Sequence, residues 1–342
     1  MKYHIVATTD AFVGKAWLLQ RIGCIPTPKF VTDVGLVMDL LRIIKKEKRS
    51  VLMYPEAGYS LDGTATDLPP RLGGLCKRLG VPVLLIRSDE GGYLRDPLYN
   101  GLRLRKTKVS ANLSCLLTKE EIREKSQEEL DEILNRAFTF DHFQAQKEKK
   151  IPITEPFRAT GLERVLYRCP ACQTEGEMKG EGTAITCGHC KKSYEMNEYG
   201  ELCATSGTTE FSQIPAWFRW ERECVCKEVE SPDYAWEIPV KIGVLCDFKC
   251  LYQLGDGTLR HDRYGFTLRD QEGNVVHTQD PWASYSLNVD YFFYELGDVI
   301  GLGTKDRFYY CFPKDKFPVA KARLAAEEMY KLPKLAHFDS SR

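Results

Sequence analysis

The sequence predicts a multidomain protein: an α/β domain in front, a small cysteine-centred unit in the middle, and a mostly-β C-terminal domain closed by a helix. Three observations carry this. Apolar runs of strand length alternate with helical spacing over residues 1–146, which favours parallel pairing. Two CxxC pairs then follow a charged, proline-containing stretch. From residue 236 onward, short strand-like segments rich in Tyr, Phe, Val and Leu are separated by tight turns. The expected partition is 1–146, a linker at 147–164, a cysteine unit at 165–200, a connecting segment at 201–235 and the β-rich domain at 236–335.

In order along the front part, Lys2 to Thr8 is strand-like and Ala11 to Ile22 has helical spacing ended by Gly23. Pro26 and Pro28 hold Cys24 to Lys29 extended at a sheet edge. Asp33 is placed to cap a helix whose Val34, Val37, Met38, Leu41 and Ile44 form an apolar stripe. Val51 to Tyr54 reads as a buried strand that Pro55 terminates, leaving Glu56, Tyr59 and Ser60 presented at a strand end. A short helix at Arg71 to Leu79, closed by Gly80, precedes a strand at Val81 to Ile86. Thr118-x-x-Glu121 and Ser126-x-x-Glu129 are capping-box signatures, the second opening a helix with Leu130, Ile133, Leu134 and Ala137 inward.

The front 150 residues hold 25 Lys plus Arg against 19 Asp plus Glu, and the remainder holds 23 against 29. This modest asymmetry suits an anionic ligand or lipid surface in front, while the acidic rear disfavours a nucleic-acid partner. No run approaches a membrane span, and the N-terminus lacks a signal peptide's layout, so membrane contact, if any, is expected to be peripheral.

The most specific signal is Cys169-Pro-Ala-Cys172, fourteen intervening residues, then Cys187-Gly-His-Cys190. Two such turns suit two knuckles that place four thiolates around one zinc ion, and this defines a zinc ribbon. His189, between two ligands, is expected at solvent. Cys224, Cys226, Cys246 and Cys250 lack the spacing of a second site and read as free thiols. In the last part, Gly255-Asp256-Gly257 and Glu272-Gly273-Asn274 are expected turns, and Pro318 to Lys331 the closing helix. Strands followed by one helix resemble a pleckstrin-homology-like or GRAM-like domain.

The front part resembles the glycerolipid acyltransferase family that includes the 1-acylglycerol-3-phosphate and lysophospholipid acyltransferases. Tyr54-Pro55-Glu56-Ala57-Gly58-Tyr59-Ser60 is similar to its Phe-Pro-Glu-Gly-Thr-Arg-Ser block, keeping Pro55, Glu56 and Ser60. Gly23 to Lys29 is similar to its Gly-x-Ile-x-x-x-Arg block, with Lys29 at the arginine, and Val81-Pro82-Val83 resembles its late strand.

The resemblance implies acyl transfer from acyl-CoA or acyl-carrier protein to a lysophospholipid or glycerol phosphate acceptor. It places the acceptor at Lys29 and at Pro55, Glu56, Ala57, Gly58, Tyr59 and Ser60, in a cytoplasmic protein peripheral at the inner membrane face. Lys29 would meet the phosphate as a point charge, and Tyr59 stands where the family has its second cation.

No catalytic residue is assigned. The family's His-x4-Asp motif, a general base and its orienting acid, is missing. His4 and Asp10 enclose five residues, and His142, His189, His261, His277 and His337 follow the motif blocks. The expectation is a chain that begins internally, having lost that motif, with a degenerate inactive homologue as the alternative. A non-catalytic zinc-ribbon and PH-like module binding a protein or lipid surface remains the other functional class.

Overall fold

The computed structural model describes residues 3–333, without the side chains of Asp89 and Glu90; Met1 and His337 lie outside the described residues. The front part opens with β1 (Tyr3–Thr8), a 3-10 turn (Thr9–Phe12), α1 (Ala16–Arg21), β2 (Cys24–Thr27), α2 (Val34–Leu41) and β3 (Ser50–Leu52). These strands form a parallel sheet in the order β2-β1-β3, with Val6 opposite Ile25 and His4 opposite Val51. Asp33 caps α2 by accepting from the Leu36 N–H at 3.2 Å.

Two local expectations are corrected here. The helix expected from Ala11 is shorter, because a 3-10 turn and Gly14 (φ 71°) precede α1. The inward face of α2 consists of Leu36, Leu40 and, through the π-type turn Arg42–Lys46 that continues it, Ile43. Val34 and Met38 of the expected stripe point to solvent. The inserted turn rotates the last residues relative to the ideal helical period.

The chain continues through α3 (Leu72–Leu79), β4 (Val83–Glu90), α4 (Gly92–Arg95), β5 (Ser110–Leu117), α5 (Lys119–Glu124), α6 (Gln127–Phe138) and α7 (His142–Glu148). Both capping boxes are formed, at Thr118 with Glu121 and at Ser126 with Glu129. β4 does not extend the parallel sheet; it pairs antiparallel with β5, Ile86 facing Leu113. Between them lie only a single-turn helix and a 3-10 turn, so the chain reverses rather than crossing over.

Residues 147–164, expected as a linker, are instead packed: Ile153, Ala159 and Leu162 are buried. Their apolar side chains join the largest core, and Asn100 fixes them by donating to the Phe157 and Thr160 carbonyls at 3.0 and 2.7 Å. A four-stranded meander follows, β6 (Met178–Glu181), β7 (Ala184–Cys187), β8 (Ser193–Met196) and β9 (Leu202–Ala204). The connecting segment carries a sixteen-residue helix, α8 (Ile214–Val229), begun with Pro215 in its first turn.

The C-terminal domain is one seven-stranded antiparallel sheet. Its strands are β10 (Ala235–Leu245), β11 (Tyr252–Asp262), β12 (Gly265–Asp270), β13 (Val275–Gln279), β14 (Asn288–Phe293), β15 (Gly297–Gly303) and β16 (Phe308–Pro313), in the order β13-β12-β11-β10-β16-β15-β14. Helix α9 (Val319–Lys331) packs on α8 and on β14 and β15, burying Val319, Ala322, Ala326 and Met329.

Gly255-Asp256-Gly257 is not a turn but lies within β11, beside a register shift at Ile242/Gly243 of β10. A Cβ on Gly257 would stand 2.1 Å from the Arg269 carbonyl oxygen, so glycine there serves strand approach. No helix among the described residues is long and apolar enough to cross a membrane.

Candidate functional site

Each CxxC segment forms a knuckle. Cys169 N–H donates to Thr174 O at 2.9 Å and Gln173 N–H to Cys169 O at 2.9 Å. In the second knuckle Cys187 N–H donates to Lys192 O at 2.8 Å and Lys191 N–H to Cys187 O at 3.0 Å. The residue after each second cysteine, Gln173 (φ 66°) and Lys191 (φ 64°), is left-handed, so the two knuckles repeat one backbone shape. The second joins β7 to β8; the first is closed by a bridge between Arg168 and Glu175.

The four Sγ atoms of Cys169, Cys172, Cys187 and Cys190 lie within 4.8 Å of one another, with Cys169–Cys190 and Cys172–Cys187 each at 3.7 Å. That separation is far beyond a disulfide and matches the edge of about 3.8 Å of a tetrahedron with metal–sulfur bonds near 2.3 Å. The donor set therefore fits a thiophilic metal ion.

Burial pushes the Cys169 and Cys187 thiols up. At the more open Cys172, desolvation is outweighed by hydrogen bonding to Thr174 and its neighbours, and the thiol is lowered to about 5. A dication at the centre inverts the penalty, since coordinating thiols lose their protons outright. His189 is exposed, and all other cysteines are free thiols.

The second group of residues sits at the carboxyl ends of the parallel strands, where α/β sheets take ligands. Lys29 follows β2 and is buried. Its Nζ lies 5.1 Å from the centre of the Tyr59 ring and 3.9 Å from Asp290 Oδ2 on β14. A Cβ on Gly58 would be 2.8 Å from Phe30, the residue after Lys29, so the turn packs against the chain that follows β2.

The turn is held locally. Ala57 is left-handed (φ 55°), and Gly58 N–H donates to Glu56 O at 2.5 Å. Ser60 Oγ donates to Thr64 O at 2.6 Å and accepts from Gly63 N–H at 3.0 Å, while Glu56 accepts from Thr66 Oγ at 3.2 Å. Burial pushes the Glu56 carboxyl and the Tyr59 hydroxyl up. Arg323 of α9 donates to the Tyr59 carbonyl at 2.7 Å.

Downstream, residues 61–67 border a cleft of about 480 Å³ closed by α8 and α9, with Asp62, Arg219, Arg222 and Arg323 on its walls. Asp290, Arg323 and the whole of α8 were invisible as site residues in the sequence. The apolar spacing Ile214, Trp217, Phe218, Val225, with Pro215 in the first turn, is the signal that locates α8. His4 lies opposite Val51 near the amino-terminal end of β1, with its Nδ1 2.9 Å from Gly23 O and its Nε2 3.7 Å from Glu47. No protein-family model, no curated protein and no solved structure matches this chain.

Proposed function

We propose that the α/β part binds the phosphate-bearing acceptor of a glycerolipid-type acyl transfer, with acyl-CoA or acyl-carrier protein as donor, and that the four cysteines hold a structural Zn2+. One observation carries the first half: the two segments that resemble the family's acceptor blocks, Lys29 and Pro55 to Ser60, pack on each other at the carboxyl ends of the parallel strands. Lys29 supplies a buried cation for phosphate, and Tyr59 lies beside it in place of a second one.

Zinc is favoured because an all-thiolate tetrahedral set suits that ion, and a closed four-ligand shell leaves no position for catalysis. When bound, zinc ties the two knuckles together.

Among the described residues no histidine is tied to this site by a hydrogen bond or ion pair to Lys29 or the turn, so binding without turnover is the expected behaviour. A second reading, a non-catalytic module that binds a protein or lipid surface through its zinc ribbon and β-rich domain, is favoured by the pairing of Lys29 with Asp290, which already neutralises the cation.

Calorimetric titration with glycerol 3-phosphate and with lysophosphatidic acid separates the two. Saturable one-to-one binding, weakened about tenfold or more in Lys29→Met, is expected from loss of a charge-assisted contact. No heat at millimolar ligand would remove the acceptor site and leave the module. Robust acyl transfer that disappears in His4→Ala would overturn the assignment of no base.

A further inference from the structure

Between the 3-10 turn Leu98–Asn100 and β5 the chain reads Gly-Leu-Arg-Leu-Arg-Lys-Thr-Lys-Val over residues 101–109, alternating apolar and basic residues without a carboxylate. Leu102 is 60% exposed, Leu104 56% and Val109 48%. Arg103, Lys106 and Lys108 are exposed too, and none of them forms an ion pair among the described residues, although Arg103 lies over the Phe157 ring, 5.5 Å from its centre.

The loop is not slack. Arg105, in its middle, is buried and donates to Asn100 Oδ1 at 2.9 Å, to Tyr99 OH at 2.7 Å and to Arg158 O at 2.8 Å. Its own N–H donates to Arg95 O at 2.8 Å, and the Lys106 N–H donates to the buried Glu155 carboxylate. The far end is seated against Gly91, where a Cβ would lie 1.9 Å from the Lys108 carbonyl oxygen. Leu102 holds a left-handed backbone (φ 60°) that glycine would adopt at lower cost.

A buried arginine thus holds a rigid loop that turns leucines and the cations of Lys106 and Lys108 outward. Exposed apolar side chains interleaved with cations fit a surface that is anionic at its face and apolar just beneath, which is the make-up of a charged bilayer. An acidic protein would satisfy the cations and leave the leucines wet, and nucleic acid offers the leucines nothing.

We propose that residues 101–109 dock the chain on an anionic lipid bilayer. Leu102, Leu104 and Val109 enter the boundary between headgroups and acyl chains while Lys106 and Lys108 meet lipid phosphates. The docking stands on this loop and does not depend on the acceptor site.

The test is co-sedimentation of the full chain with vesicles of phosphatidylcholine, with and without phosphatidylglycerol, in the absence of lysophospholipid and acyl-CoA. Binding to the anionic vesicles is expected, at least tenfold above the neutral ones and falling with added salt. The double variants Leu102→Gln/Leu104→Gln and Lys106→Gln/Lys108→Gln should each weaken it roughly tenfold or more. All four side chains are exposed, so an unchanged near-ultraviolet circular dichroism spectrum is expected alongside. Failure of the unaltered chain to sediment with anionic vesicles overturns the proposal, as does undiminished binding by both double variants. Capture by soluble polyglutamate without vesicle binding would assign the loop to an acidic peptide and overturn it as well. None of these outcomes alters the titration with glycerol 3-phosphate, so the two proposals fail separately.

Discussion

Lys29, after β2, and Asp290, on β14, meet at 3.9 Å, so the C-terminal sheet supplies the counter-ion for a cation buried by the α/β part. Tyr294 OH donating to Asp10 O at 2.7 Å and Gly14 N–H donating to Phe248 O at 2.8 Å join the same two bodies.

Asp290 is pushed up to about 6 because burial disfavours its charge; Lys29 and the Tyr291 N–H offset this in part, while Asp10 and Asp298 add like charge. A raised carboxyl contributes stability that is full below its unfolded value and is lost as pH rises through the folded one. Between about pH 7.5 and pH 5 the unaltered protein should gain roughly 1–3 kcal/mol relative to Asp290→Asn, read from urea midpoints. Parallel profiles for the two proteins would show that Asp290 does not titrate in this range. The same variant should bind glycerol 3-phosphate more tightly, because Lys29 no longer has a competing anion.

The proposal of a metal held by the four cysteines predicts one metal equivalent per chain. Cys187→Ser, at a buried ligand, should lose it and cost more than about 5 kcal/mol of stability, since metal binding energy is folding energy. Cys203→Ser and Cys226→Ser, at free thiols, should retain the metal. Metal analysis of the purified variants decides this, and full occupancy in Cys187→Ser would dismiss the four-thiolate centre.

Glu327 is buried between Arg222 Nη2 at 2.7 Å and Arg323 Nε at 2.8 Å, and also accepts from Ser286 Oγ at 2.6 Å. Desolvation opposes its charge, but the two arginines outweigh it and hold the carboxyl down to about 2. Glu327→Gln should cost about 3–5 kcal/mol near neutral pH by leaving cations uncompensated. The loss should fade as pH falls below the ordinary carboxylate range toward about 2, where the unaltered residue also protonates. A thermal midpoint unmoved at pH 7 would show that the triad contributes nothing.

Glu221, fully buried on α8, accepts from the Arg168 N–H at 2.7 Å, and burial raises its carboxyl well above the usual range. Its stability contribution is therefore full in acid and is lost as pH rises. Glu221→Gln should match the unaltered protein near pH 4 and exceed it by about 1–3 kcal/mol near pH 8. Chemical denaturation at both pH values measures the difference, and equal stability at pH 8 would count against a protonated Glu221.

Local chemistry made much of this legible. Capping residues act within three positions, so Thr118 and Ser126 announced their helices, and cysteine spacing announced the knuckles because a knuckle closes within five residues. What escaped is long-range. The antiparallel partner of β4 depends on how the intervening chain turns, and the Lys29–Asp290 and Arg323–Tyr59 contacts join residues with no local relation. Residues 147–164 looked like a linker because charge and proline dominate their composition, while their few apolar side chains decide their burial. The nearness of Lys29 to Tyr59 lay in between, suggested by a resemblance and by nothing in either segment alone.

Cys169 and Cys187 belong to the same continuous core as Trp217 of α8, Ile242 of β10 and Leu324 of α9. The ribbon is therefore not a detachable bead on a string. A chain made under metal starvation would leave Trp217, the aromatic partner of Tyr194, and the sheet behind it short of their packing. Metal loading at the four thiolates would then act as a checkpoint on manufacture, because the core behind them packs fully only when the two knuckles are held together.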